Sequence, residues 1–277
     1  MGSTVLAYHS MVRLKQQMGP DTEFYFLIFK SNRESVELLN FIPPPNILTI
    51  ESSNFLRFTL TTFTTLLRLR LLRIDTSIDL ELYSRFTAIL GWLSGARNRV
   101  GYHNFTEEGL YRGGLITHPV LYNPFLHMTQ NYLALVDALL AKDSSAPHVK
   151  APPQPLPTNL PSFFVSEERS RKMLERVQEV LPEFQPTRGD KLVLLNPDPG
   201  QLPLRGWSVE SYSALVKESL SRRDDVYFLI CGVSDGKPFA DRLVTSLPQA
   251  RVRSFVGITS SLSELLDLFT LSSCLVK

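Results

Sequence analysis

Short apolar runs alternate with stretches of helical spacing along most of this chain. Thr4 to Met18 reads as a helix, Phe24 to Phe29 as an apolar and aromatic strand, and Arg33 to Asn40 as a short helix. Ile47 to Ile50 forms the next strand after the break at Pro43-Pro44-Pro45. Leu56 to Arg73 has helical spacing although five threonines, stiff at χ1, oppose it. Ile78 to Leu80 is read as a strand, Ser84 to Ser94 as a helix, Arg99 to Tyr102 as a short strand with a turn, and Asn131 to Leu140 as a closing helix.

Between Asp143 and Ser162 lie six prolines among Ser, Ala and Asn. Proline fixes φ and has no N–H to donate, so this stretch is neither a helix interior nor a central strand. It divides the chain into residues 1–145, a linker over 146–162, and residues 163–277. The second half repeats the alternation: helix Glu167 to Val180, strand Leu192 to Leu195, a helix from Ser208, strand Val226 to Ile230, helix Pro238 to Leu247, and strand Val252 to Phe255. Ser261-Leu-Ser-Glu264 is a capping box opening one more helix, and Cys274 to Val276 begins a strand. Apolar strands separated by helices predict parallel sheets covered on both faces, an α/β fold.

Composition narrows the class. With 277 residues, 43% hydrophobic and 20% charged, the chain suits two ordinary globular domains. A net charge of +2 gives no general case for nucleic acid. Cys231 and Cys274, each in an apolar run, read as two buried thiols of a reducing compartment. The N-terminus lacks a basic region followed by an apolar core, and no window is apolar enough for a transmembrane helix. A cytoplasmic location is expected.

The most informative chemistry lies between Leu192 and Tyr212. A buried strand runs into a Pro/Gly loop with one cation, Arg205, then Trp207 and a capped helix. Ligands of open α/β sheets bind beyond the carboxyl ends of strands, and helix N-termini favour anions. Arg205 is therefore either a phosphate clamp or an ordinary exposed loop cation.

At this point a resemblance emerges. Asn196-Pro197 followed by Arg205-Gly-Trp207-Ser208 resembles the Asn-Pro-Gly and Lys-x-Trp-Pro segment of the heptosyltransferase-like family 9 glycosyltransferases. Leu229-Ile-Cys-Gly232 and Gly257-Ile-Thr-Ser-Ser-Leu262 resemble two further elements of that family in the right order. In the first half, Ile78-Asp-Leu-Glu81, Ser84-Arg85-Phe86, Ser94-Gly-Ala-Arg97 and Val100-Gly-Tyr102 are similar to its Asp/Ser-Gly-Ala/Gly-Phe block. The resemblance implies a GT-B-like fold of two Rossmann-like domains with parallel sheets, facing a cleft. Acceptor would bind on the N-terminal side and nucleotide-sugar donor on the C-terminal side. It implies transfer of a heptose or related sugar from an ADP-type donor to a lipopolysaccharide core or similar glycolipid at the inner membrane surface. No cofactor and no essential metal are implied, so cations and helix ends would neutralise the leaving diphosphate.

The same comparison exposes departures. The family's opening strand and its Gly-Asp pair, with the general-base aspartate, correspond here to an absent strand and Gly2-Ser3. A hydroxyl without an adjacent base takes no proton at neutral pH. The family's donor-holding Asp-Ser/Thr-Gly-x-x-His loop would follow Lys277. Both domains therefore read as incomplete, the chain as a fragment, and its catalysis as weak or absent as it stands. The alternative is a catalytically silent nucleotide-sugar-binding or scaffold protein. A Rossmann oxidoreductase is disfavoured, since no Gly-x-Gly-x-x-Gly follows a strand.

Candidate residues carry competing readings. On the donor side, Asn196 and Gly200 shape the loop and Asp198 meets sugar hydroxyls. Ser234 and Asp235 either approach the donor or cap the next helix. Thr259 lies near the expected base pocket, and Trp207 packs under the helix start. On the acceptor side stand Glu81, Arg85, Tyr102 and His103. Glu81 is either a substitute base or the ion-pair partner of Arg85. His103, His118 and His127 lack metal-ligand spacing. The arginine-rich segment Leu56 to Arg73 either packs on the sheet with its arginines in solvent or lies on an anionic membrane surface.

Overall fold

Every strand pair among the described residues is parallel. The computed structural model describes residues 2–82, 84–103, 112–141, 161–197 and 206–277. The chain divides into two units, Met1–Ser162 and Phe163–Lys277. The proline-rich segment 146–160 lies outside the described residues.

The N-terminal unit opens with α1 (Gly2–Leu6) and α2 (Tyr8–Met18), where one helix from Thr4 was expected. The division falls at fully buried Ala7, whose carbonyl accepts the Ser10 hydroxyl at 2.6 Å. Strand β1 (Phe26–Phe29), helix α3 (Arg33–Glu37) and strand β2 (Ile47–Ile50) follow. α3 stops before its predicted end because Asn40 adopts φ 50°, a left-handed conformation that Asn tolerates.

Helix α4 (Phe55–Leu71) then leads to β3 (Thr76–Asp79), α5 (Arg85–Leu93) and β4 (Asn98–Tyr102). A third strand of that sheet, β5 (His118–Val120), escaped the sequence reading because proline occupies its centre. It lies at the edge of the order β3-β4-β5, where a missing N–H is tolerated. Helix α6 (Met128–Leu140) starts three residues before the predicted Asn131, with the His127 ring accepting from the Thr129 amide.

In the C-terminal unit the elements are α7 (Glu167–Val180), β6 (Lys191–Leu195), α8 (Val209–Arg222), β7 (Val226–Ile230), α9 (Lys237–Thr245), β8 (Val252–Ser254), α10 (Leu262–Leu271) and β9 (Cys274–Val276). The sheet order is β8-β7-β6-β9. Alternate residues of β6 serve opposite faces, as strand geometry requires. Leu192 and Leu194 join Met173, Val177 and Leu268 in one core, while Leu195 joins Tyr212, Val216 and Ile230 in the other. Each fully buried side chain of this size contributes about 1.5–3 kcal/mol.

The thiols differ from expectation. Cys231 is buried, but Cys274 is exposed, because β9 ends the strand order and pairs only with β6 among the described residues. No described helix is long and apolar enough to cross a membrane.

Candidate functional site

In the C-terminal unit, the strand order places β7 and β8 on one side of β6 and β9 on the other. The crevice beyond the carboxyl end of β6 is thus a topological switch point. Asn196 leaves that end, anchored by its amide to the Val276 carbonyl at 2.9 Å. Its Oδ1 stands 4.0 Å from the point a Cβ would occupy on Gly232, at the exit of β7. The Gly232 carbonyl accepts from the Gly257 amide at 3.0 Å, tying in the loop after β8. Ser234 rests on Gly257, whose φ of 74° admits glycine readily. Loops from three neighbouring strands therefore converge at Asn196, Gly232, Ser234 and Gly257.

The loop after β8 is braced by α7. Arg176 donates to the Ile258 carbonyl at 2.6 Å and pairs with Glu264 at 3.1 Å. Arg169 reaches Asp267 at 2.8 Å. The Glu264 amide bonds to Ser261 Oγ at 3.1 Å, and its carboxylate accepts from the Ser260 amide at 2.7 Å. The reciprocal bond of the capping motif thus includes the residue before Ser261. The Ser260 amide, with Arg176 adding to it, holds the Glu264 carboxyl below the usual carboxylate range.

The N-terminal unit gathers a second polar cluster beyond β3 and β4. Asp79 is buried and accepts from Arg112 Nη1 at 2.7 Å, Thr87 Oγ1 at 2.7 Å and the Glu81 amide at 3.0 Å. Arg112 also donates to the Glu81 carbonyl. A Cβ on Gly101 would lie 3.3 Å from Arg112 Nη1 and 3.0 Å from Ile116 Cδ1, so glycine in β4 makes room for the guanidinium. Burial pushes the Asp79 carboxyl up, against the pull of Arg112. Tyr102, also buried, packs edge-on against Tyr122 at 5.7 Å, and burial raises its phenol strongly. Burial also raises the Tyr132 phenol.

Solved structures match nearly the whole chain. The E. coli ADP-heptose lipopolysaccharide heptosyltransferase II has a TM-score of 0.70 at 17% identity, over 98% of this chain and 74% of that one. A glycosyl transferase family 9 structure from Veillonella parvula gives 0.67 at 13% identity, over 99% and 71%. The E. coli heptosyltransferase WaaC with ADP-2-deoxy-2-fluoro heptose gives 0.65 at 12% identity, over 99% and 78%. The fold is that of the heptosyltransferases. No family model and no curated protein matches the chain by sequence.

Within this heptosyltransferase fold, the predicted site residues fall into three groups. Asn196, near Gly232, and Ser234, against Gly257, stand at the switch point, with exposed Asp235 beside Ser234 and half-buried Thr259 two residues beyond Gly257. Neither Ser234 nor Asp235 is the cap residue of α9; that position is Gly236. Asp198, Gly200 and Arg205 lie outside the described residues. On the other unit, Tyr102 and His103 are buried at the end of β4, while Glu81 and Arg85 are exposed. The expected Glu81–Arg85 pair does not form among the described residues: the Glu81 backbone is drawn instead into the Asp79–Arg112 network. Trp207 is 52% exposed and leans on Tyr212, in the first turn of α8, at 5.5 Å.

Sequence reasoning missed Arg112, Tyr132, Arg169 and Arg176. Only one signal was available for them: Gly101 between Val100 and Tyr102 marks a close approach, but not by what.

Proposed function

We propose that this chain is a glycosyltransferase taking a nucleotide-activated sugar, an ADP-heptose or close relative, as donor. The acceptor is a hydroxyl of a lipopolysaccharide-core type glycolipid on the cytoplasmic face of the membrane. The carrying observation is the likeness to heptosyltransferase structures over 98% of the chain, joined to a donor-type crevice at Asn196, Ser234 and Gly257. Arg205, nine residues after Asn196 in the sequence, supplies the cation for the donor diphosphate, where arginine offers a bidentate fork.

In the transfer, the acceptor oxygen forms a bond to the anomeric carbon and its proton passes to a carboxylate. The bond from that carbon to the diphosphate breaks, and ADP leaves with the electron pair, inverting the centre. Ser3 has no carboxylate, so we assign the proton to Glu81, an exposed carboxylate just past the end of β3. No metal or cofactor enters this scheme; charge on the leaving group is met by Arg205 and by helix ends.

Calorimetric titration with ADP tests the donor half. Arg205→Ala is expected to weaken binding by about tenfold or more; unchanged affinity removes the clamp. Mass-spectrometric detection of product with a panel of nucleotide-sugars tests the transfer. Ser3, standing where the resemblance places the general-base aspartate, favours one second reading, a silent nucleotide-sugar-binding protein. ADP binding without product from any donor selects it.

A further inference from the structure

Helix α4 is inside out. Leu56, Leu60, Phe63, Leu67 and Leu71 follow one another at four, three, four and four residues, which is one stripe of a helix. All five face solvent, between 50% and 82% exposed. The opposite face, against the sheet, buries Thr65 and Leu69, and Thr65 Oγ1 bonds the Thr49 carbonyl of β2. The more apolar side of the helix therefore points outward, over a length of about 22 Å at 1.5 Å per residue.

Cations border the stripe. Arg57 and Arg68 flank one side and Arg70 the other, with Arg73 just past the end. No Asp or Glu occurs between Glu51 and Asp75. Arg57 pairs with Glu51, but Arg68 and Arg70 donate to the Pro45 and Leu93 carbonyls and form no ion pair among the described residues.

We propose that the outward face of α4 seats the protein on an anionic lipid surface, the leucines and Phe63 entering the headgroup boundary and the arginines meeting lipid phosphates. A second copy is the poorer occupant: a two-fold antiparallel pairing of this stripe would set the Arg57/Arg68 flank against itself. The proposal goes beyond sugar transfer, and its test needs no donor.

Co-sedimentation of the full chain with phosphatidylcholine vesicles, with and without one quarter phosphatidylglycerol, is the measurement. Binding to the anionic vesicles alone is expected, falling with added salt. The combined change Leu60→Ser, Phe63→Ser and Leu67→Ser alters only exposed side chains, so its circular dichroism should match the parent while binding falls more than about tenfold. Arg68→Gln with Arg70→Gln should reduce anionic-vesicle binding by about tenfold or more. The proposal is overturned if the parent stays in the supernatant, binds neutral vesicles equally, or binds as before after the triple change. A dimer in sedimentation equilibrium that dissociates in the triple variant also overturns it, assigning the face to a second copy.

Discussion

The Ser234 hydroxyl oxygen lies 2.8 Å from where a Cβ would stand on Gly257. That approach joins the exits of β7 and β8, and it depends on a residue without a side chain at φ 74°. Gly257→Ala adds left-handed strain of about 1–2 kcal/mol and pushes Ser234 out of the crevice. We expect the melting temperature of the C-terminal unit to fall by roughly 5–10 °C, with weaker ADP binding alongside. Scanning calorimetry and titration together check this. A variant with unchanged melting and affinity would separate the two loops.

Asp79 and Arg112 make the second test. Both side chains are buried, at 8% and 0% exposure, so removing one leaves the other without its counter-charge. Arg112→Met should cost about 3–5 kcal/mol in urea unfolding, whereas Asp79→Leu with Arg112→Met should recover most of it. Burial already raises the Asp79 carboxyl, and loss of Arg112 raises it further. A raised carboxyl stabilises the fold in its protonated form. The Arg112→Met deficit should therefore shrink as pH falls toward 5 and grow as pH rises through the folded value. A deficit flat from pH 5 to 8 contradicts that account.

These two relationships mark where the sequence stops being readable. The apolar runs Leu192 to Leu195 and Val226–Ile230 were legible because central parallel strands are covered on both faces; the exposed Lys191 that opens the first strand was not. β3 begins with Thr76 and Ser77, which pair with Asn98 and Arg99, so hydrophobicity located only its end. Asn196 and Ser234 were legible as residues following strands. The approach of Asn196 to Gly232 and of Ser234 to Gly257 depends on the order in which β6, β7 and β8 assemble, which no local pattern encodes. Asp79 and Arg112 are 33 residues apart, and Arg112 reads as a surface cation until the fold places it over Gly101. Arg169 and Arg176 look like the solvent face of a charged helix, yet they grip α10 and the loop before it.

The two cysteines should separate cleanly in labelling. Burial raises the Cys231 thiol to about 11, while Cys274 is exposed on β9. At pH 8, iodoacetamide followed by peptide mapping should modify Cys274 and spare Cys231 until the chain is unfolded. The folded thiol of Cys231 binds its proton more tightly than the unfolded one. Its contribution to stability is complete below the ordinary thiol range and is lost as pH climbs through about 11. Cys231→Ala should remove that alkaline component. Equal labelling of both thiols in the folded protein would mean that the core around Leu194, Leu229 and Phe255 opens readily.

Glu264 gives the opposite slope. Its carboxyl is held low, first by the Ser260 amide and also by Arg176, so the ionised form stabilises the loop between β8 and α10. The contribution is present above the ordinary carboxylate value, about 4.3, and disappears as pH falls through the lower folded value. Glu264→Gln retains an acceptor for the Ser260 amide but loses the charge facing Arg176. Melting temperatures of parent and variant should therefore differ at pH 7 and converge below about pH 4. The difference at pH 7 should be small, because the pair is partly exposed and screened by solvent. If the gap instead persists unchanged into acid, ionisation of Glu264 is not what secures the loop. The brace would then rest on the Arg176 bond to the Ile258 carbonyl alone.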